Sequence, residues 1–87
     1  DNLERKELIE LHESTNGDGW TNKWDISEEK THHCDWYGVQ CNDESRVSEL
    51  YLYNNELAGT IPSFETLTNL GLLDLDNNQL TGECLLI

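Results

Sequence analysis

Val47-Ser-Glu-Leu50-Tyr-Leu52-Tyr-Asn-Asn55-Glu-Leu57-Ala-Gly59-Thr-Ile61-Pro62 is followed in the same chain by Leu70-Gly-Leu-Leu73-Asp-Leu75-Asp-Asn-Asn78-Gln-Leu80-Thr-Gly82-Glu-Cys84. Leu50 and Leu73, Leu52 and Leu75, Asn55 and Asn78, Leu57 and Leu80, and Gly59 and Gly82 are each 23 residues apart. Five coincidences at one offset spell L-x-L-x-x-N-x-L-x-G twice. Each motif alone would be a weak signal, but self-similarity at this period marks stacked units, none of which can bury its apolar face alone.

The letters have physical roles. Leu50 and Leu52 alternate inward from a short strand, so Tyr51 and Tyr53 point outward. The chain must then turn, and Asn55 brings an amide whose oxygen and NH2 can satisfy backbone groups inside that turn. Asn55 and Asn78 are expected to stack as an asparagine ladder. Gly59 permits a backbone angle that a Cβ would oppose. Ile61-Pro62 returns the chain with an inward aliphatic and a fixed φ.

Upstream, Asn2 to about Thr15 reads as a helix. Leu8 and Leu11, joined by Leu3 and Ile9, form its apolar stripe, with Glu4, Arg5, Lys6, Glu10 and Glu13 outside. Asp1 and Glu4 have capping-box spacing, and Asn2 is an equally good N-cap. His12 is expected at the solvent or at the edge of the packing. Ser14-Thr-Asn-Gly17-Asp-Gly19 ends the helix in a turn. Trp20 to Cys41 has no clear period and carries Trp20, Trp24, Trp36, Tyr37 and two cysteines. Buried aromatics and a cross-link usually shape such a segment.

Composition narrows the functions. The chain has 87 residues, enough for one small domain. Five Lys+Arg against eighteen Asp+Glu give a formal charge of −13. Little here would neutralise phosphates or hold an anionic membrane surface. The longest apolar run is Leu85-Leu86-Ile87, so no transmembrane span is expected. The chain begins at Asp1 with no visible signal peptide, which fits a processed chain or a fragment. Hydrophobic residues are 36% and mean hydropathy is −0.69, both low for a self-sufficient core.

The run Cys34-Asp-Trp36-Tyr-Gly38-Val39-Gln-Cys41 reads C-x-W-x-G-V-x-C. It resembles the N-terminal cap signature of plant-type extracellular leucine-rich-repeat proteins. In that family a helix comes first, then a tryptophan-bearing segment, then this motif, then the repeats, and all four occur here in order. Thr15-Asn-Gly-Asp-Gly-Trp20-Thr-Asn22 is similar to caps of this family in algae, other protists and some bacteria. The resemblance implies an α/β solenoid: a helical N-terminal cap followed by about two leucine-rich repeats forming a short parallel sheet. Residues 1–46 would be the disulfide-linked cap and 47–87 the repeats, the second incomplete and without a C-terminal cap. It further implies a Cys34–Cys41 disulfide, an extracellular or cell-surface location, and binding rather than catalysis.

By spacing alone, Cys34 and Cys41 could form a local bridge, remain thiols or make half a metal site. His32 and His33 invite a zinc reading, but the usual C-x2-4-C or H-x3-5-H spacing is missing. Cys84 stands where Ile61 stands in the first repeat, so it is a small buried hydrophobe or a partner in a disulfide to another chain or to a further segment of this one. No cofactor or metal is expected. Calcium is the one ion the carboxylates suggest, at Glu49, Asp74 and Asp76 or around Asn16-Gly-Asp18-Gly, against the plainer reading of a solvated acidic surface. No Ser/His/Asp or Cys/His set stands at recognisable spacing, and no phosphate loop or N-x-S/T sequon occurs, although O-linked sugars remain open.

Glu49, Tyr51, Tyr53, Asp74 and Asp76 share one face, the concave one of a solenoid, and form the candidate binding surface. Leu70, Leu73, Leu75, Leu80, Leu85, Leu86 and Ile87 form a candidate assembly edge. Left bare, about six such aliphatics would forgo on the order of 10 kcal/mol, as much as a domain's net stability. That edge therefore calls for further repeats or for another chain. Three functions follow: a protein-interaction or receptor-type module, a subunit that self-assembles as a dimer or head-to-tail filament, and an inhibitor of a secreted enzyme. The expected partner is another protein or further copies of the chain, with no nucleic acid and no membrane insertion.

Overall fold

The computed structural model describes residues 2–27 and 31–81. Helix α1 spans Asn2–Ser14, and 3-10 turns follow at Gly17–Gly19 and His33–Asp35. The strands are β1 Val39–Cys41, β2 Val47–Tyr51, β3 Ala58–Gly59, β4 Leu72–Asp74 and β5 Gln79–Leu80.

The inward face of α1 consists of Glu4, Glu7, Leu8, Leu11 and His12, continuing to Thr15. The steps of three and four residues are those of one helix face, but of these six residues only Leu8 and Leu11 are apolar. Glu4, expected outside, is fully buried, and Leu3, expected on the stripe, is 61% exposed. His12, expected at the solvent or the packing edge, is buried against Trp20.

The reason is backbone chemistry. The start of β2 and the turn at Thr66–Leu67 bring buried N–H donors toward the helix, and an unpaired donor there is costly. Glu4 accepts the Val47 N–H on both carboxylate oxygens (3.1 and 3.3 Å) and pairs with Arg46 Nε at 3.2 Å. Glu7 accepts the N–H groups of Thr66 and Leu67. Charge-assisted bonds of this kind are stronger than neutral ones. Asp1 of the expected capping box lies outside the described residues.

Strands β1, β2 and β4 form one sheet in that order. β1 and β2 pair antiparallel, with Val39 opposite Leu50. β2 and β4 pair in parallel, with Leu50 opposite Leu73, so the 23-residue offset is also the strand register. β3 and β5 form a second, parallel pair with Gly59 opposite Leu80. That pair departs by two residues from the sequence equivalence of Leu57 with Leu80. The turns differ as well: Asn54 and Glu56 are both left-handed in the first (φ 52° and 60°), and Asn77 (φ 59°) in the second. Gly59, at φ 103°, lies so close to α1 that a Cβ would stand 2.5 Å from the Ser14 carbonyl oxygen.

The core runs unbroken from helix to repeats through Leu8, Leu11, Trp20, Trp24, Trp36, Val39, Val47, Leu50, Leu52, Leu57 and Leu67. Trp24 bridges the other two tryptophans, edge-on to Trp20 at 4.8 Å and stacked on Trp36 at 5.0 Å. The indole N–H groups of Trp20 and Trp24 donate to the Thr15 and Tyr37 carbonyls, so these two rings bury their polar tips without loss.

Two asparagines tie the turns together. Asn78 Oδ1 accepts from the Asn55 and Leu57 N–H groups at 3.0 Å, and its Nδ2 donates to the Leu52 carbonyl. Asn55 repeats the gesture one step earlier: Oδ1 accepts from the Asn22 N–H (2.6 Å) and Nδ2 donates to the Asn22 carbonyl. Asn22 thus stands where the turn of a preceding repeat would stand.

Replacing Glu4 by alanine removes the acceptor of the Val47 N–H and the partner of Arg46. In a urea titration followed by tryptophan fluorescence, it should cost about 3 kcal/mol or more. Leu3→Ala on the same helix turn should cost under about 0.5 kcal/mol. Equal losses would contradict this assignment of the inward face.

Candidate interaction face

The main sheet has two unlike faces. Val39, Val47 and Leu50 point into the core, followed by Leu52 just past β2. A register shift between Gln40 and Cys41 lets Val47 and Leu50, three residues apart, both turn inward; from Glu49 onward the strand period of two sends Glu49, Tyr51 and Tyr53 the other way. Register then sets the layout: Gln40, Glu49 and Leu72 form one row, and Tyr51 and Asp74 the next. The Asn54 N–H donates to the Asp76 carbonyl, which carries the pairing on to Tyr53 and Asp76. The register therefore brings the five sequence-derived candidates (Glu49, Tyr51, Tyr53, Asp74 and Asp76) together, and it adds Gln40 and Leu72. Leu72 hid inside the Leu70-Gly-Leu-Leu73 run, where apolar character alone does not tell inward from outward.

The electrostatics of this face are one-sided. The Tyr51 hydroxyl donates to Glu49 Oε1 at 2.8 Å. That bond holds the phenol proton and pushes the Tyr51 pKa above its ordinary value, helped by desolvation and the charges of Glu49 and Asp74. Asp74 also accepts the Asp76 N–H through Oδ1.

The other candidates fall elsewhere. Cys34 and Cys41 are joined by a disulfide. Among the described residues, His32, His33 and Cys34 are the one group of three close metal-ligand atoms, but the Cys34 sulfur is committed to Cys41. Leu70, Leu73, Leu75 and Leu80 pack half-buried against the core, whereas Leu50, Leu52 and Leu57 one repeat earlier are fully buried. Cys84, Leu85, Leu86 and Ile87 lie outside the described residues. Around Asn16-Gly-Asp18-Gly, Asn16 is left-handed and opens the 3-10 turn. Among the described residues, no helix is long and apolar enough to cross a membrane.

Sequence reasoning missed the buried polar groups. His33 is buried, with Nε2 3.6 Å from Glu4 Oε1, and the spacing of Glu4, Glu7, Leu8, Leu11 and Thr15 was the signal that could have revealed that side of the helix. Burial lowers the pKa of His33, with the adjacent His32 adding to the effect and Glu4 opposing it. Burial also lowers that of His12, against the pull of Asp18 and Glu13.

No family model matches the chain. Individual proteins do. A probable leucine-rich repeat receptor-like protein kinase of Arabidopsis thaliana is 35% identical over 71 residues, 82% of this chain and 10% of the relative. The LRR receptor-like serine/threonine-protein kinase RGI3 of the same plant is 37% identical over 68 residues, 76% of this chain and 6% of the relative. Among solved structures, the crystal structure of PEPR1-AtPEP1 superposes with a TM-score of 0.71 at 25% identity, covering 92% of this chain and 12% of that one. The chain is a leucine-rich-repeat protein, and its homologues are the leucine-rich-repeat regions of plant receptor-like kinases. It spans a tenth or less of the length of those two relatives.

The lowered histidines set a pH dependence. The folded chain binds protons at His12 and His33 less readily than the unfolded chain, so stability present at neutral pH is lost as pH falls through the ordinary histidine value of about 6.5. Urea midpoints measured across that range should fall toward acid, and the fall should shrink when His33 is replaced by glutamine. A midpoint that rises toward acid would contradict the burial of these rings.

Proposed function

We propose that this chain is an extracellular, non-catalytic interaction module that reads a protein or peptide partner on the outer face of the β1–β2–β4 sheet. One observation carries the reading: the sheet spends one face on the core, and among the described residues the other, bearing Tyr51 and Tyr53, is covered by no further element. Tyrosine supplies contact area at low entropic cost and is enriched in interfaces. The likeness to PEPR1, solved as PEPR1-AtPEP1, supports a partner of this kind. The described residues of the 1–46 segment act in this proposal as the cap that seals the first repeat, with the Asn22 backbone receiving the Asn55 side chain and the tryptophans covering the inner leucines.

A second reading concerns the opposite end. Leu73, Leu75 and Leu80 are covered less than their counterparts Leu50, Leu52 and Leu57. Further repeats or a second copy stacked beside β4 would complete their burial, and a heterologous contact of that sort can propagate.

Display-library panning tests the first reading. Peptides enriched on the 87-residue chain should be lost on the variant Y51A/Y53A/D74A/D76A, with near-ultraviolet circular dichroism confirming that the fold survives. Enriched peptides that bind the variant equally well would refute the face assignment. Sedimentation tests the second: Leu75→Glu should leave a monomer where the parent chain associates.

A further inference from the structure

Accepting the sheet face as the recognition surface, its residues also specify the chemistry of what binds there. Glu49, Asp74 and Asp76 stand on it, and the register sets no lysine or arginine among them. Arg5 and Arg46 are engaged elsewhere: Arg5 donates to the Thr31 carbonyl and lies over the Trp36 ring, and Arg46 pairs with Glu4. The Tyr51 hydroxyl occupies one oxygen of Glu49 and supplies no positive charge.

The same surface exposes apolar area. Tyr53 (44%) and Leu72 (39%) are two of the four large apolar or aromatic side chains most exposed among the described residues. An apolar neutral ligand covering Leu72 would strip water from neighbouring carboxylates without replacing it, and that is costly. An acidic ligand would be repelled. A guanidinium meets both demands at once: its fork of N–H donors matches a carboxylate, and its flat face stacks on a phenol ring. The chain's charge of −13 adds long-range attraction for such a ligand.

We propose that the outer face of β1–β2–β4 docks an extended, arginine-bearing peptide segment. Its guanidinium groups bond Glu49, Asp74 and Asp76, one of them against Tyr53, and an apolar side chain of the segment covers Leu72.

The test is fluorescence anisotropy at low salt with two labelled probes. One is a capped octapeptide alternating arginine and leucine. The other has citrulline, neutral and of the same shape, in place of arginine. The arginine probe should bind at least about tenfold tighter than the citrulline probe, as expected when charge-assisted bonds replace neutral ones. Glu49→Gln and Asp74→Asn should each weaken the arginine probe several-fold and leave the citrulline probe unchanged, while Tyr53→Ala should weaken both. Equal binding of the two probes, with loss on Tyr53→Ala, overturns the cationic partner but leaves the sheet face standing. Binding of the arginine probe that none of the three substitutions touches overturns the face as well. Absence of saturation with either probe at about 1 mM protein, the weakest affinity worth calling recognition, also overturns the proposal.

Discussion

A carboxylate with no access to water holds the two halves of this chain together. Glu4 comes from the first helical turn, the Val47 N–H from the first residue of β2 and Arg46 from the residue before it, while the His33 ring lies alongside with Nε2 3.6 Å from the carboxylate. Burying a carboxylate is unfavourable unless donors surround it, so the helix can dock only where those donors converge. Glu7 does the same for Thr66 and Leu67 one turn on. The orientation of α1 over the sheet is thereby specified by polar geometry, and Leu8 and Leu11 fill in beneath it.

Once the helix is seated, the backbone of the turn after it becomes available to the repeats. The Ala58 N–H donates to the Thr15 carbonyl, the Thr21 N–H to the Asn55 carbonyl, and Asn55 clasps Asn22. These bonds reproduce, between the N-terminal part and the first repeat, those that Asn78 makes between the first repeat and the second. A small chain with 36% hydrophobic residues can use such a scheme because the apolar area it buries is concentrated in three tryptophans and a few leucines, while backbone pairing supplies direction. The result is a sheet whose inner face is committed to the core and whose outer face carries Glu49, Tyr51, Tyr53, Asp74 and Asp76.

Much of this was legible in the sequence. The 23-residue offset became the register of β2 with β4, because identical inward leucines can share a layer only when the strands align. The outward placement of Tyr51 and Tyr53 followed from the same alternation. The polar half of the helix was not legible, because a glutamate on an amphipathic pattern reads as solvent-facing until its donors are known. Leu3 was misplaced for the complementary reason: an apolar residue near a helix end has no stated neighbour in the sequence. The slip of β3 against β5 was not legible either: the two turns share a left-handed asparagine (Asn54 and Asn77) but only the first adds a left-handed Glu56, a difference that one-letter codes do not encode.

The sequence by itself determined the repeat, its period, the residues that alternate in and out, and the acidity of the surface. Those follow from short-range periodicity, which geometry converts directly into faces. Only the tertiary structure decided which polar groups are buried, that Asn22 takes the place of a repeat's turn, and that Leu72 joins Glu49 on the outer face. Each of these depends on donors and acceptors far apart in the chain, whose pairing exists only once the chain has closed on itself.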